Sequence, residues 1–193
     1  MSNDFKVKEI DDWLDPELTS YLSDVFLNRL PHYFVERSRK EGSKMYSHDF
    51  HPSDVMIGFI CEKIRKLFDY DINFSRIYFN IQHPTMEGMW HVDSKLVKDA
   101  GHTVMLMMTP NDEDGAFFYR PDPENDQYQR KIHYKQNKLL IFPAEMEHYG
   151  STFKTKPRIT LVFKTLKANI QDEPNGPFYA VSYTHLTLPT TPY

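Results

Sequence analysis

Two textures divide the chain. In its first part apolar residues recur at spacings of three and four, as helices with one buried face require; later, short alternating runs are separated by turn residues. Asp15-Pro16 supplies a cap and a first-turn proline, and Leu18, Tyr21, Leu22, Val25, Phe26 and Leu30 follow as one stripe. An amphipathic helix is therefore expected over 16–30, closed by Pro31. Met56, Phe59, Ile60, Ile64, Leu67 and Phe68 mark a second helix. Phe5–Ile10 is expected to open the fold as a strand, and the polar stretch 36–51 to be a loop. From Asn73 onward β-rich runs occupy 74–82, 102–109, 115–120, 128–134, 138–142 and 158–165, with turns at 112–115, 121–127 and 135–137. An α-rich start followed by evenly spaced strands predicts an α+β, mainly β, sandwich or barrel.

Composition narrows the class. At 193 residues the chain fits one domain, and 40% hydrophobic with 15% aromatic residues can sustain a core. It has no apolar run of the roughly 18 residues a membrane helix needs, and its opening MSNDFKVKEIDD is too polar for a signal peptide. The single Cys61 cannot form an internal disulfide, so a reducing, cytoplasmic setting is expected. A net charge of −4 without a dense basic stripe argues against nucleic acid as partner. Arg37, Arg39, Lys40 and Lys44 are expected to be a solvated loop. The last thirteen residues, VSYTHLTLPTTPY (181–193), carry no charge and resemble a translated sequencing adaptor, so one domain is expected over 1–180 with a non-native tail behind it.

The chemistry concentrates in four residues. His91 and Asp93 stand two apart and, in a strand, project to the same side, so both can hold one ion while Val92 faces away. A third ligand must come from elsewhere, and His148 follows the run KLLIF and Pro143. Two imidazoles and a carboxylate leave the opposite face of a metal open, which suits Fe(II) chemistry with O2 and a bidentate cosubstrate. His-x-Asp alone is weak; His-x-Asp, a gap of 54 residues, His, then Arg158 ten residues later is far more specific. In the alternating run Arg158-Ile-Thr-Leu-Val-Phe, Arg158, Thr160 and Val162 share a face. If that face is interior, Arg158 is a buried cation that needs an anion. A guanidinium favours a carboxylate, with the Thr160 hydroxyl as a further donor.

His91-Val-Asp93, His148 and Arg158-Ile-Thr160 resemble the motif of the Fe(II)- and 2-oxoglutarate-dependent dioxygenases, and within them the prolyl-4-hydroxylase-like proteins of bacteria and phages. The motifs span about residues 74–166. The resemblance implies a double-stranded β-helix, or jelly roll, with N-terminal helices packed on one sheet. It implies Fe(II) on His91, Asp93 and His148, and 2-oxoglutarate with its distal carboxylate on Arg158. Thr160 matches the hydroxyl of the Arg-x-Ser/Thr variant. Tyr78 and Asn80, on one face of the run FSRIYFNIQ, fall where related enzymes line the cosubstrate pocket; ordinary cross-strand polar pairing is the alternative. The implied activity is O2-dependent hydroxylation of an unactivated C–H in a protein residue, prolyl among them, or a small molecule, releasing succinate and CO2. The sequence departs from the prolyl-hydroxylase pattern in lacking a Tyr-x-x-Gly element before His91, and in carrying Arg158 where collagen-type enzymes have Lys.

Other assignments stay open. A cupin-like non-oxidative metalloenzyme could use the same ligands without needing Arg158, and a jelly-roll binding protein would need no metal. His133 competes with His148 as third ligand, but lies inside an alternating strand with no arginine at a matching offset. His83 and His102 could support the metal strand or be plain strand residues, and Trp90 could wall a substrate pocket or belong to the core.

Overall fold

Asp15 opens the first helix as its sequence demands, its carboxylate accepting from the backbone N–H of Glu17 (2.9 Å) and Leu18 (3.1 Å). The computed structural model describes residues 5–36, 44–86, 88–94, 101–110, 115–122, 125 and 127–168. The tail 181–193, Arg37, Arg39 and Lys40 lie outside them. The elements in order are β1 (Lys8–Ile10), α1 (Pro16–Asn28), β2 (Tyr33–Glu36), β3 (Lys44–Phe50), α2 (Val55–Arg65), β4 (Ile72–Gln82), β5 (Gly101–Met107), β6 (Ala116–Tyr119), β7 (Arg130–His133), β8 (Leu139–Pro143), β9 (His148–Gly150) and β10 (Arg158–Lys167).

Three expectations change. Within the stretch expected to be a loop at 36–51, β3 fills 44–50 and pairs with β2 and β4, while 37–43 lie outside the described residues. The polar composition of β3 hid a period of two. Tyr46, His48 and Phe50 lie on the core side, where His48 stacks on Phe79 at 5.8 Å and Phe50 packs at 5.7 Å. Ser47 is satisfied instead by donating to the carbonyl of Phe79 (3.0 Å). The second helix turns Ile60 and Ile64 inward and keeps Met56, Leu67 and Phe68 against the core as expected, but it also buries Ile57 and Cys61 and leaves Phe59 exposed. The opening strand shortens to Lys8–Ile10, with Phe5 and Val7 packing against the interior just before it.

All strand pairs are antiparallel. A seven-stranded sheet runs β1-β8-β5-β10-β4-β3-β2, and a three-stranded sheet runs β7-β6-β9. An isolated bridge from His91 to His148 adds a fourth position to the smaller sheet beside β9. The strands β8-β5-β10-β4 thus face β7-β6-β9 and the segment at His91, which is the jelly roll. Alternation sorts each central strand between two cores. Ile77, Phe79 and Ile81 of β4, with Leu161 and Phe163 of β10, meet Leu22 and Phe26 of α1 and Ile60 and Ile64 of α2. Tyr78 and Val162 face the other way, into a layer with Met105, Met107, Phe117, Phe142 and Met146 between the sheets. The helices therefore cover one face of the large sheet and leave the other free for the site. No helix among the described residues is long and apolar enough to cross a membrane.

Asn137 fastens the start of α1 to the turn before β8. Its side chain accepts from the N–H of Leu14 (2.8 Å) and donates to the Leu14 carbonyl (2.7 Å), and it stands at φ 65°, where asparagine is tolerated. Asn137→Ala leaves both groups of Leu14 unpaired in a buried position and strains the turn. It should destabilise the protein by about 3 kcal/mol, read as a lowered urea midpoint. An unchanged midpoint would contradict this role.

Candidate functional site

His91, just outside the regular strands, and His148 at the start of β9 are held side by side by a two-way backbone pair: His91 N–H to His148 O at 3.0 Å and His148 N–H to His91 O at 2.9 Å. Each imidazole is then fixed by the same device. His91 Nδ1 lies 2.8 Å from the carbonyl of Met89, and His148 Nδ1 lies 2.8 Å from the carbonyl of Met146, each two residues upstream. A carbonyl only accepts, so each Nδ1 donates its proton. In the neutral ring that leaves a lone pair on each Nε2.

Both Nε2 atoms turn to Asp93: His148 Nε2 is 3.6 Å from Oδ2, and His91 Nε2 is 3.9 Å from Oδ1. The three ligand atoms lie within 4.8 Å of one another. Asp93 is anchored by its backbone N–H on the carbonyl of Ala144 (2.9 Å), and Oδ2 accepts from Thr103 Oγ1 on β5 (2.6 Å). Lys164 Nζ on β10 lies 3.0 Å from Oδ1. Burial alone would raise the pKa of Asp93, but the neighbouring His148, Lys164 and His91, with the Thr103 hydroxyl, hold it well below the usual carboxylate range. Burial pushes His148 down to about 4, with Asp93 opposing the shift, so its imidazole is neutral at pH 7 and ready to ligate. A dication's chemistry fits this donor set.

Both groups give the metal-free protein an acid limb of the same sign. Between pH 6.5 and about 4 the unfolded chain takes up a proton at His148 that the folded chain refuses, so stability falls as pH falls. Asp93, depressed in the fold, adds a loss beginning near its ordinary value of 3.8 and continuing below it. His148→Asn should flatten the fall of the urea midpoint between pH 6.5 and 4. Parallel curves for the two proteins would contradict the buried neutral imidazole.

Two residues past His148, on the same face of β9, stands Gly150. A Cβ built there would sit 2.1 Å from Arg158 Nη1 and 2.4 Å from Nη2. The guanidinium therefore rests where only a glycine leaves room, about 7 Å of strand from His148. Arg158 is 6% exposed, its Nε has no hydrogen-bond partner, and no carboxylate among the described residues pairs with it. Burial lowers its pKa to about 10, offset in part by Tyr134. A buried cation with an orphaned donor is the cradle an anion would fill.

Strand register assembles the rest. Thr160 is buried opposite Asn80, and Val162 opposite Tyr78. Tyr78 is buried on the inter-sheet side, and Asn80 carries a buried Oδ1 without a partner. All seven residues singled out from the sequence thus belong to the layer between the sheets or its rim. The competitors do not join them. His133 is exposed on β7, His102 Nδ1 lies 3.0 Å from the Tyr70 hydroxyl, and His83 meets the Tyr46 ring edge-on. Trp90 is in neither core; Arg120 lies over its ring at 4.2 Å, with Tyr149 beside it. Sequence reasoning missed Thr103, Lys164 and Gly150. Lys164 was on the Arg158–Thr160–Val162 face by simple alternation, and Gly150 by its offset from His148.

No family model and no curated protein matches the sequence. Solved structures match the fold. An oxidoreductase of the 2-oxoglutarate-Fe(II) oxygenase family from Burkholderia pseudomallei superposes with a TM-score of 0.67 at 12% identity, covering 83% of this chain and 84% of that one. A viral collagen prolyl hydroxylase from Paramecium bursaria Chlorella virus-1, in complex with 2-oxoglutarate, gives 0.63 at 18%, covering 82% and 94%. A prolyl hydroxylase from Trichoplax adhaerens, in complex with a peptide fragment of a hypoxia inducible factor, gives 0.67 at 13%, covering 86% and 84%. The fold of this chain is the jelly roll of those oxygenases.

Proposed function

We propose that the protein is an Fe(II)- and 2-oxoglutarate-dependent oxygenase that hydroxylates an unactivated C–H bond of a peptide residue or a small molecule. The observation that carries this reading is the pairing of two sites on one strand. His148 turns its lone pair to Asp93 and His91, and Gly150, two residues on, makes space for a buried guanidinium that has no carboxylate partner among the described residues. A non-oxidative metalloenzyme would use the first of these and have no need of the second.

In this reading His91, Asp93 and His148 hold the metal on one face and leave the other open. Arg158 takes the distal carboxylate of 2-oxoglutarate, with Thr160 as a hydroxyl donor beside it. Tyr78 and Asn80 line the same pocket from β4, the Asn80 amide being the group with an unused buried acceptor. Iron with 2-oxoglutarate and O2 supplies the oxidative decarboxylation to succinate and CO2 and the power to break a C–H bond. The chain's part is orientation and exclusion of water. Thr103 and the Ala144 carbonyl fix Asp93, the carbonyls of Met89 and Met146 fix the two tautomers, and Phe117 and Phe142 pack against the His148 ring at 5.4 and 4.8 Å. Peptide substrates are one option, since a structural neighbour holds one. The test is Fe(II)-dependent conversion of 2-oxoglutarate to succinate, abolished by a chelator and restored by added iron. Failure to form succinate in the presence of iron, O2 and a broad substrate panel would overturn it.

A further inference from the structure

Lys164 is an unusual neighbour for a metal ligand. Its Nζ lies 3.0 Å from Asp93 Oδ1 and 3.2 Å from the Asp93 carbonyl, so ammonium and metal would draw on one carboxylate. Directly opposite it on β4 is Arg76, a like-charged cross-strand pair, which costs stability unless anions compensate. The backbone presents both on purpose-built geometry. The β4–β10 register slips between Lys164 and Thr165, leaving Ser75 as an extra residue whose hydroxyl donates to the Lys164 carbonyl (3.2 Å). Both cations lie against one aromatic ring, that of Tyr78, with Arg76 Cζ 4.2 Å and Lys164 Nζ 6.0 Å from its centroid.

Among the described residues each cation has one carboxylate partner, and neither partner is its alone. Arg76 takes a bidentate grip on Asp49, at 2.7 and 3.2 Å, but Asp49 is 59% exposed and shares its charge with water. Once a dication occupies the site and 2-oxoglutarate meets Arg158, the cationic groups are Arg76, Lys164, Arg158 and the dication. Against them stand, among the described residues, Asp49 and Asp93, with the two carboxylates of the diacid, one charge short. The Lys164 side chain is 16% exposed and that of Arg76 is 35% exposed, so the surplus lies at the solvent-facing rim beside the half-open His91 and not in the sealed core.

We propose that the substrate brings an anionic group, a carboxylate or a phosphate, to Lys164 and Arg76, and that this pair selects acidic substrates and points their reacting carbon at the metal face. The inference rests on the oxygenase reading and names the substrate class for it. An anion at the rim relieves the repulsion between the two cations. It also frees Asp93 to serve the metal, because the ammonium then has a second partner. A neutral substrate would leave Lys164 sharing Asp93 with the metal and Arg76 with only the exposed Asp49.

The test uses Zn(II)-loaded protein with 2-oxoglutarate, without O2, titrated with sodium acetate or inorganic phosphate while the side-chain nitrogens of Lys164 and Arg76 are followed by NMR. Sodium chloride at matched ionic strength is the control. Saturable shifts with acetate identify a carboxylate site, and shifts with phosphate alone identify a phosphate ester site. Shifts no larger than those of chloride in both titrations overturn the proposal. Lys164→Gln should weaken the anion about tenfold, the loss of one charge-assisted hydrogen bond, and Lys164→Arg should restore it. Equal affinity in Lys164→Gln also overturns it. Failure of the oxygenase reading has a separate signature: the Arg158 signals would not move when 2-oxoglutarate is added to the Zn(II) protein, whatever acetate and phosphate do at the rim.

Discussion

Asp93→Ala should remove metal binding and succinate formation together, the largest single effect expected for this chain. Asp93 is the sole carboxylate among the three converging ligands, and its charge is the group that both imidazoles and Lys164 face. Without it, two neutral nitrogens remain beside an ammonium that repels any incoming dication. Changes that merely disturb a ligand's support cost 10- to 100-fold in metal affinity, so deleting the ligand itself should cost at least about 100-fold. Asp93→Asn is the sharper variant, since it keeps the volume and can still meet Thr103 while losing the charge. Equilibrium metal binding by the wild type and both variants checks this. Wild-type affinity in Asp93→Asn would place the metal elsewhere.

The second large effect separates binding of the diacid from folding. Arg158→Met should strongly weaken metal-dependent 2-oxoglutarate binding while leaving the metal itself bound. Truncating one partner of a buried charge pair costs about 2–5 kcal/mol of binding, or roughly 30- to several-thousandfold. The same change should leave the unliganded protein as stable as the wild type or more so, because it replaces a buried cation that has no carboxylate partner among the described residues by an apolar chain of similar length. A residue whose removal stabilises the empty fold and destroys ligand binding is there for the ligand. Gly150→Ala should mimic the binding loss from the other side. Its Cβ would fall 2.1 Å from Nη1, so the guanidinium must leave its seat. Calorimetric titration of 2-oxoglutarate into the metal-loaded variants, with urea denaturation of the empty ones, checks both halves. A strongly destabilised Arg158→Met protein that still binds the diacid would contradict the account.

Much of this was legible in sequence because the relevant periodicities are short. The alternation in 74–82 and 158–165 put Tyr78, Asn80, Arg158 and Thr160 on shared faces before any pairing was known, and β4 and β10 turn out to be neighbours with those faces aligned. The convergence of His91, Asp93 and His148 was legible from offsets, since His-x-Asp fixes a common direction and the distant His148 and Arg158 complete a specific order. What failed was whatever depends on long-range packing. β3 reads as polar because its core-facing residues include His48, which counts as apolar only once it stacks on Phe79. The inward face of α2 was set by the sheet beneath it, which took Ile57 and Cys61 and left Phe59 outside. Thr103 and Lys164 carry no motif. They matter through register alone, each placed opposite the other across the β5–β10 ladder with Asp93 between their side-chain tips.

The most direct measurement is an anaerobic one. Fe(II) and 2-oxoglutarate are added to the purified protein and the visible spectrum is recorded, with Asp93→Asn and Arg158→Met alongside. Chelation of iron by the diacid at His91, Asp93 and His148 predicts a metal-to-ligand charge-transfer band in the wild type that needs both additions. The band should be missing in Asp93→Asn, and in Arg158→Met it should emerge only at far higher 2-oxoglutarate. A wild-type spectrum that stays featureless at saturating iron and diacid would contradict the account.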